Sequence, residues 1–186
     1  MEKTMRILLY ASIAAAIAWG LTVSPVIYAA TAGASIAVPG GSCQLSIPTT
    51  NTGVRPKATG FRNESTTVSN FVYCPIANPV ASNNNMFTQL IAAVYSINGA
   101  PHLVTCTAVV GAYDYPMAPL IYSSKSESVD SSDTPLGQLF TWTAADFGGT
   151  EGDPIVGSVL SSVTCSLTPQ TAISFLQAPY SYDVGQ

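Results

Sequence analysis

The chain holds a single histidine, His102. A Ser-His-Asp or Cys-His hydrolase would have to pass its proton through that one imidazole. His102 follows Pro101 in a turn-rich stretch and no G-x-S-x-G elbow occurs anywhere, so it reads as a turn histidine rather than a general base. The carboxylates Asp146, Glu151 and Asp153 have oxygen ligands for calcium or for a glycosidase pair. Their spacing fits no standard loop, and a solvated glycine-rich turn accounts for them. No catalytic residue, metal or cofactor is expected.

Aromatic residues offer the better binding chemistry. Tyr113, Tyr115, Tyr122, Trp142, Tyr180 and Tyr182, with Phe147, combine flat apolar faces with polar edges, which suits sugars or a protein partner. Core packing competes for the same residues. Asn63-Glu64-Ser65 matches a glycosylation sequon, and a chance tripeptide explains it in a bacterial chain.

Four cysteines, Cys43, Cys74, Cys106 and Cys165, all follow an N-terminal stretch built like a secretory leader. Lys3 and Arg6 precede an apolar run, and Ala30 and Ala32 form an A-x-A site, so residues 1–32 read as a signal peptide and 33–186 as one exported domain. An even cysteine count in an oxidising compartment implies two disulfides. Of the three connectivities, order in the chain favours Cys43 with Cys74 and Cys106 with Cys165. Zinc wants closely spaced pairs, which are missing here. The expected location is periplasmic or secreted, with no membrane span after cleavage.

Carboxylates outnumber cations, and the formal net charge of −4 argues against nucleic acid, whose phosphates require clustered cations.

The elements that must position these residues read as strands. Residues 60–76 form a β-rich run that Pro75 should end just after Cys74. Residues 35–47 suggest a short strand around Cys43, followed by a loop with a cationic turn at Arg55, Pro56 and Lys57. Residues 89–97 and 103–110 flank Asn98-Gly99 and read as a hairpin. Residues 120–123 suggest a short edge strand, while 124–134, SKSESVDSSDT, reads as a mobile acidic loop. Residues 139–143 form another strand, with Phe140 and Trp142 on one side. Residues 155–167 alternate cleanly, and 172–176 begin a last strand before a tyrosine tail. Seven or eight strands without an amphipathic helix beyond the leader predict an all-β, antiparallel β-sandwich, Ig-like or jelly-roll-like.

Cys43-Gln44, Gly60, Asn63, Ser65, Val72-Tyr73-Cys74-Pro75, Val104-Thr105-Cys106 and Val163-Thr164-Cys165-Ser166-Leu167 run in that order through nearly the whole exported part. In this the chain resembles a family of uncharacterised exported four-cysteine proteins of Gram-negative bacteria. The resemblance implies a two-disulfide β domain outside the cytoplasm and transfers no catalytic residue. The acidic serine stretch, and a third proline at Pro169 rather than directly after Leu167, depart from the pattern. Together these features predict a non-catalytic exported protein that binds a polysaccharide or an envelope protein, or has a structural part in the cell envelope. A pilus-like adhesin subunit and a secreted hydrolase are the alternatives.

Overall fold

The computed structural model describes residues 31–47, 53–77, 86–114, 116, 118–130 and 137–183. Residues 1–30, Tyr115 and residues 78–85 lie outside the described residues, while Thr31 and Ala32, the last two residues of the expected leader, are described within β1. Thr31–Asp183 form one compact unit. Its strands are β1 (Thr31–Pro39), β2 (Gln44–Leu45), β3 (Val54–Lys57), β4 (Gly60–Asn63), β5 (Asn70–Ala77), β6 (Gln89–Ser96), β7 (His102–Val110), β8 (Ile121–Val129), β9 (Gln138–Thr143), β10 (Leu160–Leu167) and β11 (Thr171–Asp183).

Two antiparallel sheets face one another across an apolar core. One has the order β3-β4-β11-β6-β9, with β1 lying beside the second half of β11. The other has the order β2-β5-β10-β7-β8. Setting aside β1 to β3, the order β4-β11-β6-β9 over β5-β10-β7-β8 is that of an eight-stranded jelly roll. The expected all-β sandwich with two disulfides is therefore what the chain forms. The three early strands extend its rims.

Alternation along each strand builds the core. In β7 the residues Val104, Cys106, Ala108 and Val110 are all fully buried, while Leu103, Thr105, Thr107 and Val109 face outward. Phe140 and Trp142 of β9 stack on the inner face of the first sheet beside Leu90. The disulfides are Cys43–Cys74 and Cys106–Cys165, each in the core. The second joins directly opposed residues of β7 and β10.

Several local expectations fail, each for a physical reason. Residues 60–76 are two strands in different sheets, because Thr66 to Val68 turn the chain instead of extending it. Ser65 Oγ accepts from the amides of Thr67 at 3.2 Å and Val68 at 3.0 Å, and that turn carries the chain from β4 to β5. Pro75 does not end β5, since β2 reaches only to Tyr73 and leaves β5 an open flank where a missing amide is harmless.

The Asn98-Gly99 turn is no hairpin either. β6 already has β11 and β9 as neighbours, and β7 has β10 and β8. Asn98 Oδ1 instead accepts from Ser96 Oγ and from the amide of Ala100, and lies 2.9 Å from His102 Nε2, which shapes a five-residue arch between the sheets.

Arg55, Pro56 and Lys57 lie in the edge strand β3, not in a turn. SKSESV is strand β8, not a loop. Its period was concealed because both faces are polar: Ser124, Ser126 and Ser128 point out, while Lys125, Glu127 and Val129 point in. Residues 155–159 form turns that precede β10, with Gly157 at φ 79°. The tyrosine tail belongs to β11, whose ladder with β1 runs to Asp183.

Two glycines are decisive for the join of β1 and β4 along β11: Gly40, directly after β1, where a Cβ would lie 2.1 Å from the Ile173 carbonyl oxygen, and Gly60. A Cβ on Gly60 would lie 2.1 Å from the Ile173 carbonyl oxygen, and its φ is +130°. The β11 ladder is irregular at that point, between Ile173 and Phe175. A side chain at position 60 would push β4 off the sheet.

Candidate functional site

The outer face of the β2-β5-β10-β7-β8 sheet is assembled from every second residue of its strands. β5 contributes Phe71, Tyr73, Pro75 and Ala77. β10 contributes Leu160, Ser162, Thr164 and Ser166. β7 adds Leu103, Thr105, Thr107 and Val109, and β8 adds Tyr122 with its three outward serines. No Lys, Arg, Asp, Glu or His stands among these residues. Such neutrality on a broad face is unusual for a solvated surface, which ordinarily carries charge.

Register puts these side chains in rows across the sheet. One row is Tyr73, Thr164, Thr107 and Ser124; the next is Phe71, Ser166, Thr105 and Ser126; a third is Pro75, Ser162, Val109 and Tyr122. Thr105 and Ser126 hydroxyls lie 2.7 Å apart, as do those of Thr107 and Ser124, so the β7–β8 side of the floor is cross-linked by hydroxyl pairs. Phe71, 56% exposed, and Tyr122, 61% exposed, stand on opposite sides of that floor. Between them lies a shallow depression of about 450 Å³ floored by Thr105, Thr107, Val109, Thr164 and Ser166. A second depression, about 630 Å³, adjoins it at Val109 and runs past Tyr73, Pro75 and Leu160.

Of the aromatic residues singled out by sequence, Tyr122 is on this face. Tyr113, 90% exposed, lies in the loop after β7 and lines a separate small hollow with Pro116 and Pro119. Tyr180 and Tyr182 lie side by side along β11, in the other sheet, with their rings tilted by 40°, and Phe87 packs edge-on to Tyr180. Trp142 is not a surface aromatic: it is fully buried in the core, because inward positions of β9 are those that share a face with Phe140. Phe71 and Tyr73 were missed. Their signal was the alternation with Val72 and Cys74, since a buried cysteine fixes which neighbours point out.

No protein-family model matches the chain, and no curated protein is significantly similar to it. Among solved structures it is similar to a xylan-binding module, CBM15, at 14% identity and a TM-score of 0.42, covering 80% of this chain and 97% of that one. It is also similar to part of latent PorU from Porphyromonas gingivalis, at 10% identity and a TM-score of 0.37, covering 87% of this chain and 14% of that one. At these scores neither similarity bears on function.

Other candidate groups are engaged elsewhere. His102 faces the Asn98 carboxamide. Asp146 caps the short 3-10 turn Ala144–Phe147 by accepting from the Thr143 amide at 2.8 Å, and it pairs with Lys125 Nζ at 3.0 Å. Glu151 accepts from the Thr143 hydroxyl. Asn63 of the sequon is fully buried, so the folded chain withholds it from modification.

At the far rim of the other sheet, Arg55 at 3.0 Å, Lys57 at 2.6 Å and Arg62 at 3.5 Å surround the Glu64 carboxylate. Hydrogen bonds from Lys57 and then Arg55 hold the Glu64 pKa below its usual value. A depressed carboxylate pKa contributes stability that is complete above the ordinary carboxylate range and is lost as pH falls through the lowered value. Glu64→Gln should therefore shallow the acid limb of a plot of urea midpoint against pH. The difference should be small and should fade in high salt, since the cluster is solvent-exposed. An acid limb unchanged by the substitution at low salt would show that the pairing contributes nothing.

Proposed function

We propose that the protein is an exported, non-catalytic binding module whose outer face on the β2-β5-β10-β7-β8 sheet takes a neutral polysaccharide. The observation that carries this reading is the charge-free face with Phe71 and Tyr122 on either side of a hydroxyl-bearing floor. A sugar ring presents an apolar face of C–H groups and a rim of hydroxyls. Aromatic rings complement the first, and Ser and Thr hydroxyls complement the second as both donors and acceptors. An anionic glycan or an acidic peptide would leave its charges without partners there. A subunit that completes its sheet with a donated strand is the less favoured class, because β11 is flanked by β4, β1 and β6 of its own chain.

Titration calorimetry and affinity electrophoresis against neutral and anionic polysaccharides test this. Binding should be confined to neutral chains and insensitive to salt. Phe71→Ala and Tyr122→Ala should each weaken it about fivefold, as expected for loss of one aromatic stacking contact of roughly 1 kcal/mol. Leu139→Ala, exposed on the opposite sheet, serves as the control and should change nothing. Absence of binding across the panel, or binding that survives both aromatic substitutions, would remove the reading.

A further inference from the structure

Every open sheet ends in strands whose outer amides and carbonyls lack a neighbour, and such edges recruit other strands unless something blunts them. Among the described residues most edges of this sandwich are blunted. β2 is two residues long, and β3 reads Val-Arg-Pro-Lys, with a proline and two cations. β8 turns Lys125 and Glu127 inward. Lys125 Nζ also donates to the Thr141 carbonyl at 2.6 Å, which covers the flank of β9. β1 has none of these devices. It is nine residues long, uncharged, and has its proline only at the last position.

Which groups β1 turns outward follows from the ladder. The Thr88 amide donates to the Pro179 carbonyl at 2.8 Å from the β6 side of β11. One residue's N–H and C=O point to the same side of a strand, and its neighbours' point to the other. Pro179 therefore turns away from β1, so that Ser35, opposite it, directs its own N–H and C=O to the open flank. Gly33 and Ala37 do the same.

The strand is also its own complement. Its half-buried face runs Ala32, Ala34, Ile36, Val38, with small side chains first and branched ones last. Antiparallel pairing centred on Ser35 sets Ala34 against Ile36 of a second copy on both sides of the axis, so the branched side chain nearest the axis meets a methyl group within the exported residues. Parallel pairing would set branched against branched. On the exposed face Gly33 meets Ala37, and Ser35 meets its own counterpart, without charge or bulk between them.

We propose that β1 pairs antiparallel with β1 of a second copy about a two-fold axis at Ser35, joining two sheets edge to edge. Sedimentation equilibrium of the purified protein should show a reversible dimer. Ser35→Lys and Ser35→Glu each bring like charges face to face on the axis, and each should weaken its dimer by about tenfold or more. An equimolar mixture of the two should restore association as a heterodimer. Ala37→Pro removes an outward amide without breaking a β11 bond, so it should weaken the dimer while leaving the urea midpoint in place at dilutions where the protein is monomeric. A monomer at every concentration overturns the proposal. So does a dimer indifferent to charge at position 35, or one that the mixture fails to rescue, which would mean that a different surface or partner strand is used.

Discussion

Replacing Cys106 and Cys165 together with alanine is expected to lower the free energy of unfolding by roughly 4 kcal/mol. The bridge spans a sequence separation of 59 residues, and closing so long a loop removes more freedom from the unfolded chain than the 31-residue separation of Cys43–Cys74. The same reasoning gives the shorter bridge about half a kcal/mol less. Position reinforces the order. Cys106 and Cys165 lie opposite one another on two inner strands of their sheet, β7 and β10, with no exposure, and their removal also leaves space in a packed core. Cys43 anchors only the turn between β1 and β2 to β5. Equilibrium urea unfolding followed by the fluorescence of Trp142, buried beside Phe140, measures both double variants on one scale. If the Cys43 and Cys74 pair proved the costlier loss, the loop-length account of these bridges would be wrong.

The sulfur pairing was legible in the chain because only three connectivities exist and order in the chain favours the one that forms. Period-two alternation in 103–110 puts Val104, Cys106, Ala108 and Val110 on one face, and these are the inner residues of β7. What alternation does not encode is which sheet a strand joins. β6 and β7 have the same pattern whether they pair with each other or with β11 and β10, so the turn signal at Asn98-Gly99 does not distinguish a hairpin from an arch between sheets. In the jelly roll, consecutive strands mostly change sheets, and short arches resemble hairpin turns in sequence. β8 was illegible for a different reason: a strand with serines outside and Lys125 and Glu127 inside has no apolar period to detect. The same limit separated Tyr122 from Trp142. Both are aromatic residues in strands, and only the position of the core assigns one to solvent and the other to packing.

Asn63→Ala is expected to cost roughly 3 kcal/mol, although the residue touches neither disulfide nor the neutral face. Its side chain is fully buried at the end of β4. Nδ2 donates to the carbonyls of Val68 at 2.8 Å, Leu167 at 2.9 Å and Thr168 at 3.2 Å, and Oδ1 accepts from the Ser65 amide at 3.1 Å. The single carboxamide therefore ties together the crossing from β4 to β5 and the turn from β10 to β11, segments more than a hundred residues apart in the chain. Alanine would leave the buried Leu167 carbonyl without this donor and the Ser65 amide without this acceptor, while the Thr168 carbonyl keeps the Thr171 hydroxyl, and each such orphan costs about 1–3 kcal/mol. Asn63→Asp separates hydrogen bonding from volume. It keeps the shape but replaces the donating NH2 with a carboxylate oxygen that faces the same carbonyls, so at neutral pH it should destabilise at least as much as alanine. Urea midpoints of the two variants decide the matter. If aspartate were tolerated better than alanine, the packing of the side chain and not its donated bonds would be what holds the crossing in place.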